Sequence, residues 1–165
     1  MKTILTSLLF CLAASTPINN EPIRTIDLGR FMGRWYEIAR FDHRFERNLE
    51  GVSTEYTLLD DGKIRIVNQG VDTRTGAKKE AVGRGRITST TGLLRVAFFG
   101  FFYADYRILE LSPDYSWALI GGNSDRYLWI LSRTPTLPAA TLQQILRLAE
   151  QRGYDTKRLI YVDQP

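Results

Sequence analysis

The 165-residue chain carries 22 Lys+Arg against 18 Asp+Glu, with one Cys and one His. One Cys excludes an intrachain disulfide framework and any Cys-based zinc cluster, and one His excludes the usual multi-His metal sites. The modest net charge of +4 comes from interspersed signs, which is not the clustered basic face that nucleic acid requires.

Taken in chain order, Met1-Lys2, an apolar run from Ile4 to Ala14 and Ser15-Thr16-Pro17 have the layout of a secretory signal. Residues 1–20 are therefore read as a signal segment and residues 21–165 as one domain. The apolar run is shorter than the ~20 residues that a bilayer-spanning helix needs. Cys11 lies inside it, and two fates stay open. Cleavage just before Cys11 and acylation of its thiol would tether the domain to a membrane, although Phe10 stands where a small residue is usual. Cleavage after Ala14 or Ser15 would discard the thiol.

Beyond Asn20, Gly, Asp and Asn clusters recur every 8 to 15 residues with β-rich runs between them, the spacing of an all-β barrel or sandwich. The runs are 35–41, 52–59, 63–71, 77–88, 93–98, 102–111, 115–120 and 126–132. Asp60-Asp61-Gly62 and Arg74-Thr75-Gly76 are turn signals. The expected fold is all-β: an eight-stranded antiparallel up-and-down barrel, which removes exposed edges by closing on itself.

Alternation then divides each strand into two faces. Val52, Thr54, Tyr56 and Leu58 share one face, opposite Ser53, Glu55 and Thr57. Ile64 with Ile66, Leu94 with Val96 and Phe98, and Tyr115 with Trp117 and Leu119 form further stripes expected to point inward. Such a barrel is wide enough for a packed interior or one small ligand, and periodicity alone does not choose between them. From Pro138 to Arg152 the period changes to helical: Leu142, Ile145, Leu146 and Ala149 form a stripe opposite Gln143, Gln144, Arg147 and Glu150. Thr136 precedes it as a cap region and Gly153 ends it. The apolar stripe is expected on the outside of the barrel, and a last strand, 159–162, returns beside the first or the eighth.

Three separated segments now carry a family resemblance. They are Gly33-Arg34-Trp35-Tyr36-Glu37-Ile38-Ala39-Arg40-Phe41, then Ala104-Asp105-Tyr106 after the Phe98–Tyr103 run, and Tyr127-Leu128-Trp129-Ile130-Leu131-Ser132-Arg133. In that order the chain resembles the lipocalins, and among them the bacterial outer-membrane lipoproteins related to apolipoprotein D. It departs from them at Phe10 and at Ala104, where the family has Thr. The resemblance implies that Gly33, Trp35, Asp105 and Arg133 close the bottom of the barrel, with the Arg133 guanidinium packed on the Trp35 indole.

The resemblance also raises the pocket above the filled core, with a fatty acid or lysophospholipid as ligand and no cofactor or metal. Stripe members toward the open end are then the candidate ligand contacts: Tyr56, Ile66, Val82, Phe98, Tyr115, Trp117 and Trp129. Asn68, Arg84 and Glu110 are polar candidates for a head group. His43, in a loop of alternating charge read as a solvated rim, is expected to be a surface residue rather than a catalytic base. The Phe98–Tyr103 run would fold inward, meet a second copy or rest on a membrane. The chain is therefore expected to be a non-enzymatic carrier, exported to the bacterial outer membrane or the periplasm. An enzyme or pigment binder on the same barrel, or an interaction protein with a filled barrel, are the competing readings.

Overall fold

Residues 17–165 are described by a computed structural model. Eight of its strands follow the β-rich runs: β1 (Gly33–Phe41), β2 (Leu49–Leu58), β3 (Ile64–Asp72), β4 (Lys78–Ile87), β5 (Leu93–Ala97), β6 (Ala104–Leu111), β7 (Trp117–Gly121) and β8 (Leu128–Ser132). Each pairs antiparallel with the next, β8 pairs with β1, and β1 returns to β2. The sheet is a closed barrel. Gly62 and Gly76 sit at φ 77° and 68° in the β2–β3 and β3–β4 turns, a conformation that costs glycine no steric strain. The signal segment up to residue 16, with Cys11, lies outside the described residues. Ile18 packs beside the helix described below, and the Asn19 amide donates to the Arg152 carbonyl at 2.7 Å.

Closure is not uniform along the seam. β1 and β2 pair only from Gly33↔Tyr56 to Tyr36↔Ser53. Above that, a bulge between Glu37 and Ala39 turns β1 away. The chain's last strand, β9 (Leu159–Tyr161), pairs with Ala39–Phe41 there, so its place is beside the first strand. Gln164 Nε2 bridges the gap by donating to the Glu37 and Val52 carbonyls at 2.7 and 2.9 Å.

Two apolar clusters lie on opposite sides of the wall. Inside are Phe31, Trp35, Tyr56, Ile64, Ile66, Leu94, Ile108, Ala118, Ile120 and Leu131. Outside, Ile38, Phe41, Leu109, Trp117, Leu119, Leu128 and Ile130 meet Ile145 and Ala149 of α2 (Ala139–Gln151). No side chain caps the start of α2, which begins at Pro138. The hydroxyl of Thr134 instead holds the Thr136 carbonyl at 2.7 Å. Gly153, at φ 88°, ends the helix. Ile145 is fully buried, and Ile145→Ala should lower the unfolding free energy by about 2–4 kcal/mol, as a buried aliphatic truncation does. Urea unfolding followed by circular dichroism measures it.

Candidate functional site

One end of the barrel is sealed. A short helix absent from the sequence expectations, α1 (Leu28–Phe31), lies across it, and Asp27 caps it by accepting from the Arg30 amide at 3.1 Å. Trp35 Nε1 donates to the Phe31 carbonyl at 2.8 Å. The Arg133 guanidinium stacks 3.8 Å from the Trp35 ring centroid. It also donates to the carbonyls of Arg34, Arg30 and Phe31 at 2.8, 2.7 and 3.2 Å. Gly33, at φ 91°, lies beneath it, where a Cβ would stand 3.3 Å from Arg133 Nη1. One cation thus satisfies two orphan carbonyls of the short helix and one of β1, and lies over an indole face.

Above this floor the interior becomes polar and aromatic. Tyr56 and Tyr106 join hydroxyls at 2.7 Å, and Thr54 Oγ1 donates to Asn68 Oδ1 at 2.9 Å. Burial pushes the Tyr56 and Tyr106 phenols well above their ordinary values, so both stay protonated. Phe98 lies across Gly83, where a Cβ would come within 2.8 Å of its ring. Small residues on the inner face of β4 make that space.

At the mouth sits a charged cluster. Glu37 and Arg40 are each only 3% exposed, and Arg40 Nη1 donates to Glu37 Oε1 at 2.7 Å. Arg40 Nη2 donates to the Glu46 and Leu49 carbonyls at 2.7 and 3.3 Å, which folds the 42–48 loop over the opening. The Glu46 side chain turns in. It accepts from Trp129 Nε1 at 3.0 Å, with His43 Nε2 2.8 Å from the same oxygen. Burial, and then the neighbouring Glu46 charge, hold the Glu37 carboxyl well above the usual carboxylate range despite Arg40. For Glu46, burial pushes up, but His43, the Trp129 N–H and Arg40 together bring it below its ordinary value. The environment thus pushes the two carboxyls in opposite directions, Glu37 up and Glu46 down.

A lipocalin-like domain model matches residues 26–164. The chain is 42% identical over 164 residues to the outer membrane lipoprotein Blc of Vibrio cholerae, covering 98% of this chain and 96% of that protein. Against the outer membrane lipoprotein Blc of Escherichia coli the identity is 41% over 157 residues, covering 94% and 89%. The chain belongs to the lipocalin family. Insecticyanin from the tobacco hornworm Manduca sexta shares the fold, with a TM-score of 0.74 at 22% identity over 92% of this chain and 87% of that one.

The lipocalin barrel brings Tyr56, Ile66, Asn68, Phe98 and Trp129 together on its inner wall. It does not bring the other candidates there. Trp117 and Leu119 face outward beneath α2, while Ala118 and Ile120 take the inner face. Val82, half exposed, and Arg84 stand on the outer face of β4. There Arg84 lies over the Phe101 ring and binds the Gly100 carbonyl. Glu110 points out to Arg152, 2.8 Å away, because a bulge after Ile108 shifts the register. Tyr115 stands in the β7 approach turn at φ 61°, and its hydroxyl accepts from the Asp27 amide at 2.8 Å at the sealed floor. Asp105 does not serve the floor either. It opens β6 at the mouth end, on the outer wall, paired with Arg95 and Arg107 at 3.1 and 2.9 Å.

The residues that the sequence reading missed are Glu37, Arg40, His43 and Glu46. A signal existed for Glu37, which shares the inward face of Trp35 two residues before it. The mouth loop was expected to be a solvated rim, and only its outward half is, with Asp42 and Arg47 paired at 2.7 Å in solvent.

Proposed function

We infer that this lipocalin is a carrier of small hydrophobic amphiphiles, fatty acids or lysophospholipids, in the bacterial envelope. The observation that carries this reading is the division of the interior. An apolar, sealed lower half lies below an upper half lined by Phe98, Tyr56, Tyr106 and Trp129, with charged groups at the mouth. An acyl chain gains by leaving water for such a wall, at ~0.8 kcal/mol per buried CH₂, while its head stays with the polar groups. Residues 1–20 act as the export signal, and the domain proper follows. The relatives named outer membrane lipoproteins support an envelope location, with Cys11 as the candidate anchor.

Native mass spectrometry of the purified domain, with lipid extraction, tests this reading. Acyl lipid should co-purify or be taken up at one molecule per chain. A barrel that takes up none, with tryptophan fluorescence unmoved by titration, rejects it.

A second surface role has its own support. Phe45, Phe99, Phe101 and Phe102 are 59, 66, 85 and 89% exposed on two loops of the same rim, and Phe45 and Phe99 stack at 6.4 Å. This apolar edge did not fold inward, and it suits contact with a membrane or a second copy. Sedimentation of the chain alone and with phospholipid vesicles separates the two.

A further inference from the structure

The Glu46 carboxylate is held inside the barrel mouth by a donor from the wall, with His43 of its own loop beside it, while a second wall donor holds its backbone. Trp129 Nε1 comes from β8, and Arg40, which holds the Glu46 carbonyl at 2.7 Å, comes from β1. His43 and Tyr127 both pack against the Trp129 indole, at 5.2 and 6.0 Å between centroids, and lie 6.2 Å from each other. The donor set is not exhausted by Glu46. Among the described residues, Arg40 Nε and His43 Nδ1 are buried without a hydrogen-bond partner. Buried donors left unpaired are costly and rare. His43 Nε2 also lies close to the Glu46 oxygen but out of hydrogen-bond alignment.

We propose that Arg40, His43 and the Trp129 N–H form a receptor for a single carboxylate, that Glu46 fills it in the unliganded chain, and that the carboxylate of a fatty acid displaces Glu46 on binding. This rests on the carrier reading above and names the head group that the mouth recognises. The acyl chain would run from this point past Phe98 and the Tyr56–Tyr106 pair. Glu46 is tethered and competes as an intramolecular ligand, so it lowers affinity by its effective concentration at the site. Removing its carboxylate removes a competitor rather than a contact. The 42–48 loop, held down by Glu46 and by Arg40, should come free of the wall when the ligand takes its place.

Isothermal calorimetry with two probes of equal chain length, oleate and oleyl alcohol, tests this on the wild type, Glu46→Ala and Glu46→Gln. Glu46→Gln keeps the side-chain shape, so it remains informative if the alanine variant folds poorly. Oleate affinity should rise about tenfold in Glu46→Ala and by less in Glu46→Gln, while oleyl alcohol changes by less than about twofold. Amide hydrogen exchange of residues 42–48 in the wild type should speed up with oleate and not with oleyl alcohol. If both probes shift together, or oleate still binds but no tighter in the variants, the carboxylate receptor is overturned and the carrier reading stands. If no protein takes up either probe, the carrier reading fails and this inference falls with it.

Discussion

Trp35→Ala should lower the unfolding free energy by about 3–5 kcal/mol, the range for truncating a buried aromatic. Trp35 is fully buried among Phe31 and Tyr56, with ring centroids 5.1 Å from Trp35 to Phe31 and 5.6 Å from Phe31 to Tyr56. Truncation opens a void at the sealed end and leaves the Phe31 carbonyl one donor short. Arg133→Ala should cost less, about 2–3 kcal/mol, because its guanidinium is partly open to water but serves several carbonyls at once. In both variants the mouth is far from the change, so affinity for an acyl probe in the folded fraction should move less than about threefold. Urea denaturation and a binding titration on the same samples measure the two quantities. A variant that keeps its stability and loses its ligand would reverse the assignment of these residues to closure.

The second large effect is expected at Arg40. Arg40→Ala removes the cation paired with Glu37 and strips donors from the Glu46 and Leu49 carbonyls. Leaving the buried Glu37 carboxyl and these carbonyls without donors costs about 1–3 kcal/mol for each group, so a total loss of about 3–5 kcal/mol is expected. Replacing both partners is milder, and Glu37→Gln with Arg40→Met should recover much of the loss. The pH dependence gives an independent handle. Glu37 holds its proton to a higher pH when folded than when unfolded. The folded chain therefore binds more protons in the window from the ordinary carboxyl range up to that raised value. Stability contributed by Glu37 is full below this window and is lost as pH rises through it. Glu37→Gln should accordingly gain on the wild type at neutral pH, with the gain vanishing under acid conditions where Glu37 is protonated in both the folded and the unfolded wild type. Denaturation midpoints across pH measure the gap between the two chains.

Much of the fold was legible because closing a meander leaves few choices. Turn signals such as Asp60-Asp61-Gly62 and strand lengths determine strand order, and the helix announced itself by its change of period. What alternation could not give is the sign of a face where both faces are buried. Every residue of β7 is buried, since α2 covers its outside, so Trp117 and Leu119 looked like an inner stripe although the helix claims them. On β4 the reverse holds. Its inner face is Ala81, Gly83 and Gly85, kept small so that Phe98 and Ile64 can cross the interior. Val82 and Arg84 were expected on the inner face, and the packing puts them outside. Glu110 was misplaced by a bulge that no period reveals. Asp105 was assigned to the floor by resemblance, and the strand direction puts it at the other end.

The site was harder to see than the fold because it is made of charges. Buried charge is expensive unless paired; alternation from Trp35 reaches Glu37, but only the bulge between Glu37 and Ala39 brings Arg40 to the same side. The partner that completes the cluster, Glu46, lies on a loop and depends on donors from strands distant in sequence.

A carrier of this kind holds its amphiphile in the upper barrel with the head at the mouth. The three tryptophans sample three environments: Trp35 at the floor, Trp117 beneath α2 outside the wall, and Trp129 inside the mouth. Fluorine NMR of the fluorotryptophan-labelled domain, titrated with oleate, reads them separately. The Trp129 resonance should shift strongly with saturating behaviour, Trp35 weakly, and Trp117 not at all. A titration that moves Trp117 while leaving Trp129 in place would contradict the claim and put the ligand outside the barrel.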